Sequence, residues 1–265
     1  MNYDIGELLN AWPFDPDEFT ARRIKAKDGT EKIQIRIDMG ILQLELAGRP
    51  DGQRPQGCDS LLEYYQGLAE EHRQQHEGRE EGDEPFVLDE DACEDLFQEA
   101  WQYYHRYLSL FFLEEYDGVV RDTEHNLTIF DLVQGHADND EIKWYFEQYY
   151  PHAIMMQTRA KGMLALAAED YPGALTCVRQ GIERIESFVE DWDGEVVEDD
   201  FPELSFLREW HEELEKERPL SQREQLERDL HRAVEAENFE EAARLRDKLQ
   251  TMRRGYLGPN PERAL

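Results

Sequence analysis

The chain has 265 residues, with 29 Lys and Arg against 61 Asp and Glu, a formal net charge of −32. That balance opposes general binding to a phosphate backbone, which needs cations to displace counterions, and opposes adsorption to anionic lipid; proteins, cationic ligands and metals stay open. The 12 Phe, 12 Tyr and 5 Trp argue against a mainly disordered chain, and the length allows one large domain or two modest ones.

Residues 1–18 are aromatic and acidic, and Pro13 and Pro16 break any helix there. Ile33, Ile35 and Ile37 alternate with polar residues, the period of a half-buried strand. Asp28-Gly29 before them signals a two-residue hairpin, and Leu42, Leu44 and Leu46 alternate again after Gly40. A three-stranded antiparallel meander is therefore predicted, ending at Gly48-Arg49-Pro50-Asp51-Gly52. Such a small sheet is marginal alone, so one face should pack on helices.

From Asp59 the period becomes helical. Leu61, Leu62, Tyr65 and Leu68 form a stripe, and the acidic stretch Glu77 to Glu84 reads as a loop. A long helix follows from Asp89, carrying Leu96, Phe97, Ala100, Trp101, Tyr104, Tyr107, Leu108 and Phe111, with Gly118 as its interruption. Further helices are predicted at 119–133, 152–168 and 174–189, the first two separated by the stripe Trp144, Phe146, Tyr149. Glu190 to Asp200 reads as an acidic linker, and Leu204, Leu207, Trp210 and Leu214 mark a connecting helix stopped by Pro219.

The tail differs from the body. Ser221 to Leu265 holds nine basic and nine acidic residues, so the first 220 carry the whole −32. Ser221-Gln222-Arg223-Glu224 is a capping box, and Asn238 with Glu241 repeats the device. The helices so opened carry Leu226, Leu230, Ala233 and Val234, then Phe239, Ala242, Ala243, Leu245, Leu249 and Met252. Joined so tightly, they must lie antiparallel. The apolar arc of the second helix is roughly 180° wide, against the ~100° that one neighbour requires. The excess should meet another chain, another copy, or the body. Arg246 lies inside that arc, where a guanidinium could pair a carboxylate on an incoming helix.

The run Glu237-Asn238-Phe239-Glu240-Glu241-Ala242-Ala243-Arg244-Leu245-Arg246-Asp247-Lys248-Leu249, with Leu226, Leu230 and Ala233 before it, resembles the UVR motif. This short helical hairpin is shared by the B and C subunits of bacterial UvrABC excision repair, by Clp-type chaperone ATPases and by the activator of bacterial protein-arginine kinase. The resemblance implies a cytoplasmic bacterial protein that binds other proteins by pairing its hairpin with a second UVR hairpin. It implies no catalysis, and the helicase motifs, nuclease motifs and zinc-binding cysteines that accompany the hairpin in those proteins are missing from this sequence. Upstream, Gly162, Ala165, Asp170, Tyr171, Ala174, Leu175 and Gly181 resemble a single tetratricopeptide hairpin at about residues 153–188, without a second copy at a 34-residue offset.

Residues that could carry chemistry are few. His72 and His76, at i and i+4 beside Glu71, have metal-ligand spacing, but their charged surroundings mark a solvated helix end. His125 and His136 lack a paired carboxylate motif, and Asp138, Asp140 and Glu141 do not follow a calcium loop. Cys177 and the stripe Trp101, Tyr104, Tyr107, Phe111 suit a core better than a nucleophile or a cofactor box. No phosphate-cradling loop, nucleophile elbow or HExxH occurs, so no catalytic, cofactor or metal residue is assigned. Cys58, Cys93 and Cys177 are far apart and form no CxxC, which suits a reducing cytosol. The N-terminus lacks a basic and apolar leader, and no apolar run reaches the ~20 residues of a membrane helix.

The expected fold is mainly α with a small N-terminal antiparallel β meander (α+β). It divides into an N-terminal segment with the meander (1–55), a helical body (56–189), an acidic linker and connecting helix (190–220), a UVR-like hairpin (221–254) and a tail (255–265). The expected function is a protein-interaction adaptor or scaffold linked to excision repair or Clp-type quality control. Leu230, Phe239, Ala242, Ala243, Leu245 and Leu249 supply its apolar contact, and Arg246 and Asp247 its polar register. Partners are a protein with a UVR-like hairpin or a second copy, with neither direct nucleic-acid nor membrane binding and no cofactor. The alternative is an enzyme with a cleft between meander and body; a third reading is a nucleic-acid mimic, which requires ordered rows of carboxylates on one face.

Overall fold

The computed structural model describes residues 4–76, 85–190, 201–220 and 222–256. The expected loop at 77–84, the acidic linker at 191–200, the end of the tail at 257–265, Ser221 of the first capping box and the side chain of Met252 lie outside the described residues. The chain divides into two compact units, Met1–Leu214 and Glu215–Leu265. The fold is mainly helical, with an antiparallel three-stranded meander near the N-terminus and a helical hairpin at the C-terminus.

A short helix, α1 (Gly6–Ala11), precedes Pro13, so the N-terminal prolines end a helix rather than prevent one. The strands are β1 (Ala21–Lys25), β2 (Glu31–Ile37) and β3 (Gly40–Glu45), in sheet order β1-β2-β3. Ile33 pairs with Arg23 and Leu44, and Ile35 with Ala21 and Leu42. The first turn is one residue longer than expected. Ala26 and Thr30 close a loop of Lys27, Asp28 and Gly29, where Gly29 takes φ +89° and Asp28 Oδ1 accepts the Thr30 amide at 3.0 Å. A left-handed glycine after a tight turn restores the strand twist.

One face of the meander is buried on helices. Ile33, Ile35 and Leu44 share a core with Tyr107, Leu110, Val119, Met156 and Ala160, so the interface between meander and helices is filled by side chains. On the other face Arg22 lies over the Trp12 ring and Arg36 over Phe14. Arg36, itself buried, donates to the carbonyls of Trp12, Asp38 and Gly40 at 2.6, 3.0 and 3.0 Å, tying the N-terminal segment to the β2–β3 turn.

The helices are α2 (Leu61–His76), α3 (Glu90–Phe112), α4 (Tyr116–His136), α5 (Asp140–Glu147), α6 (Tyr150–Ala167), α7 (Tyr171–Glu190) and α8 (Pro202–Glu217). Asp89 caps α3 by accepting the Ala92 amide. Gly118 does not interrupt the long helix, as its position suggested; it lies inside α4, where a Cβ would come within 2.8 Å of Leu110. The break falls at Glu114, with φ +60°, and the amides of Glu114 and Glu115 return to the carbonyls of Phe111 and Leu110. The same closure recurs after α6, where Glu169 has φ +59°. Across α6 and α7, a Cβ on Gly181 would sit 2.2 Å from Thr158 Oγ1; Gly162 instead faces the ring of Trp210 on α8. In the stretch that reads as a connector, α8 buries Leu204, Leu207 and Leu214 in the main core.

That core contains charges. Arg106 on α3 and Asp122 on α4 leave 1% and 0% of their side chains exposed. Arg106 Nε and Nη2 donate to the two Asp122 oxygens at 2.6 and 2.8 Å, and Nη1 donates to the carbonyls of Glu45 and Gly48 at 3.0 and 2.7 Å. One guanidinium thus joins two helices to the chain leaving the sheet. Glu99, two turns earlier on α3, accepts the Leu61 and Leu62 amides at 2.8 and 3.1 Å, supplying an acceptor for the free N–H groups that open α2. His125 Nε2 meets the same carboxylate at 3.0 Å, with its ring stacked on Tyr103, and Arg49 Nε lies 3.2 Å away. Burial alone would raise the Glu99 carboxyl, but the hydrogen bonds from His125 and the two amides outweigh it and hold the group below its ordinary 4.5.

Asp122→Ala leaves Arg106 buried without its anion and should cost about 3–5 kcal/mol in urea unfolding. The double variant Arg106→Met/Asp122→Leu should recover only part, because the Glu45 and Gly48 carbonyls lose their donor. A carboxyl lowered in the folded state contributes stability that is complete above the unfolded value and is lost as pH falls through the folded one. Urea midpoints should therefore drop below about pH 4.5, and Glu99→Gln should flatten that part of the profile.

Candidate functional site

The second unit is built on α9 (Gln222–Glu235) and α10 (Phe239–Tyr256). Their stripes are legible in Leu226, Leu230 and Ala233, and in Ala242, Leu245 and Leu249. The turn is set by the backbone. The Asn238 amide donates to Ala233 O at 2.8 Å and the Glu237 amide to Val234 O at 3.0 Å, with Glu237 at φ +54°. These are the two bonds of a Schellman closure, whose left-handed position is usually glycine. Asn238 then caps α10 by accepting the Glu241 amide at 3.3 Å, as its sequence position indicates. Before α9, Arg218 forks onto Glu224, with Nη1 on Oε2 at 2.9 Å and Nη2 on Oε1 at 2.5 Å.

The hairpin hides little. Among the described residues its interior consists of Ala233, Ala242 and Leu245, with Leu226 and Leu230 packed against them. Ala243 and Leu249 are half-buried. Phe239 is 70% exposed and Val234, on the other side of the turn, 50%. Arg246 is exposed and among the described residues bonds its neighbour Asp247, at 3.2 Å from Nη2, an exposed i,i+1 pair that leaves both groups open to water. At 100° per residue, Phe239, Ala243, Arg246 and Gln250 fall within about 60° of one another, beside the buried Ala242–Leu245 face. The eight residues singled out from the sequence therefore separate. Ala242 and Leu245 close the hairpin on itself with help from Leu230, while Phe239, Arg246 and Asp247 look outward and Ala243 and Leu249 lie on the border.

The remaining candidates are structural in their surroundings. The rings of His72 and His76 stack at 4.1 Å, and His76 Nδ1 donates to the carbonyl of His72, which fixes the ring and leaves Nε2 with its lone pair. Among the described residues no group of three His, Cys, Asp or Glu could hold a metal. In the aromatic stripe Tyr107 is buried and meets His152 Nδ1 at 3.2 Å, whereas Trp101 is 43% exposed and stacks on Tyr104. Cys93, not Cys177, is the buried thiol, and burial pushes it up to about 11. His125 does have a carboxylate partner, Glu99, which lies 26 residues away on α3.

Residues 221–254 match the UVR family, described as the UvrB/uvrC motif. No curated protein and no solved structure matches the chain significantly. The motif supports a role in protein interaction through this hairpin. Among the described residues no helix is long and apolar enough to cross a membrane.

The turn makes its own prediction. A non-glycine residue in the left-handed region costs about 1–2 kcal/mol, and glycine returns about 0.5–1 kcal/mol of that in chain entropy. Glu237→Gly should slow amide exchange in α9 and α10 by about two- to fivefold, measured by mass spectrometry on the full chain.

Proposed function

We propose that this protein is an interaction adaptor that docks the α9–α10 hairpin against a second helical hairpin. The partner is a UVR-type hairpin in a protein of excision repair or of Clp-type quality control, or the same hairpin in another copy. The observation that carries this reading is the exposure of Phe239 at 70% in a unit whose buried apolar residues, among those described, are two alanines and a leucine. Burying such a ring is worth about 1.5–3 kcal/mol, and it stands on the same face as Arg246, which can find a carboxylate across the interface. Ala243 lies between them and lets a partner helix approach closely. Asp247, Leu230, Ala242, Leu245 and Leu249 complete the site by holding register and shape. The work belongs in the cytoplasm of a bacterium, where UVR partners reside. An enzyme with its cleft between the meander and the helices draws no support from an interface occupied by Ile33, Ile35, Leu44 and Tyr107.

The test compares the full chain with Phe239→Asp in two arms, sedimentation for self-association and titration with isolated UVR hairpins from an excision-repair subunit and a Clp-type ATPase. Association in one arm at micromolar concentration, weakened about tenfold or more by the substitution with the circular dichroism unchanged, is the expected result. Equal binding by the folded variant, or no association in either arm, overturns the proposal.

A further inference from the structure

In the first unit, α3 and α5 enclose a groove of about 870 Å³. Phe97 forms its floor, in ring contact with Tyr145 and Phe146 at 4.8 and 5.6 Å. Trp144 and Tyr145 stand on its wall with 53% and 44% of their surface in water, although aromatic rings of this size normally find cover. Four carboxylates line the same groove, Glu90 and Glu94 from α3 and Asp140 and Glu141 from α5. Among the described residues no Lys, Arg or His lines it. All four are exposed, and among the described residues none of them forms an ion pair. Asp140 and Glu141 lie in the first turn of α5 and Glu90 in that of α3, where the helix ends favour nearby anions.

We infer that this groove is a docking site for a short arginine-containing peptide segment of a protein partner, with an apolar residue between its arginines. The charge on the rim is complementary to guanidinium, which pairs with carboxylates through its planar fork and stacks on Trp and Tyr faces. The apolar floor between the carboxylates excludes a purely polar ligand. Glu90 to Gln98 on α3 spans about 12 Å, which suits two turns of a docked helix or about four extended residues, and is too short for a second folded hairpin. The buried thiol of Cys93, pushed up to about 11, takes no part. The acidic body steers such a segment inward, so the on-rate should fall with salt.

The experiment titrates the full chain with a fluorescein-labelled octapeptide alternating arginine and leucine, and with free arginine amide. Micromolar binding of the peptide is expected. Trp144→Ala should weaken it about fivefold or more, and Glu94→Gln/Glu141→Gln about tenfold. Glu7→Gln/Asp117→Asn, which removes the same charge elsewhere, should leave it unchanged. Phe239→Asp should also leave it unchanged, so this site and the hairpin can fail separately. Equal loss in both charge variants would assign the binding to the acidic surface at large. Arginine amide binding as tightly as the peptide would make this a small-cation site. Either result, or no peptide binding, overturns the inference.

Discussion

A guanidinium with 1% of its surface exposed is tolerable only when its donors are answered, because the protein interior does not replace water for an unpaired charge. Arg106 meets that demand with two oxygens of Asp122 and two backbone carbonyls, one at the end of β3 and one just beyond it. The geometry is exacting. The α3–α4 pair must bring residues 106 and 122 opposite each other, and the chain from Glu45 to Gly48 must pass over them. A hydrophobic contact tolerates sliding, but a forked ion pair with two further acceptors does not. Glu99 repeats the principle two turns away by holding the start of α2. The first unit is an aromatic and aliphatic core in which α3 carries two charged rivets, and these set the register of the meander and of α2 against the bundle.

The regular elements were readable because burial imposes a period. Ile33 and Ile35 face the helices at a spacing of two, and Leu226, Leu230, Ala233 and Ala242, Leu245 fill the hairpin interior at spacings of three and four. The rivets were harder to see because they occupy the same stripes as the apolar residues. On α3 the inward positions run Leu96, Glu99, Tyr103, Arg106, Leu110; on α4 they run Val119, Asp122, Asn126, Ile129, Val133. A charged residue at a core position of the repeat was the available sign, but in a chain with 61 acidic residues it is hard to distinguish from solvated charge. Turn residues misled for a related reason. Glycine marks a possible left-handed position, yet Glu114, Glu169 and Glu237 take that conformation here, and Gly118 serves a close helix approach instead. Local preference yields where the packing of the flanking helices fixes the path.

The two candidate surfaces use different physics. The hairpin is electrically balanced over its length and exposes Phe239 and Val234, so the docking proposed for it would rest on removing apolar surface from water. The α3–α5 groove lies in the part of the sequence that carries the excess negative charge, and it combines aromatic rings with carboxylates that form no ion pair among the described residues. Salt separates such modes. Charges in water are screened over about 10 Å at 0.1 M, while apolar burial is largely indifferent to that concentration.

This division gives a reason for the unusual distribution of charge. A uniformly acidic chain would repel copies of itself and any acidic partner, and a hairpin inside that field would discriminate by charge before shape. Keeping the last 45 residues neutral lets α9 and α10 present Phe239 and the Arg246–Asp247 pair on the terms set by packing and register. The acidity of the remainder then maintains solubility and discourages adventitious association of the exposed rings Trp101, Trp144 and Tyr145. Reversing the arrangement, with a charged hairpin on a neutral body, would leave those aromatic residues as the stickiest surface of the molecule and make its specificity depend on ionic strength.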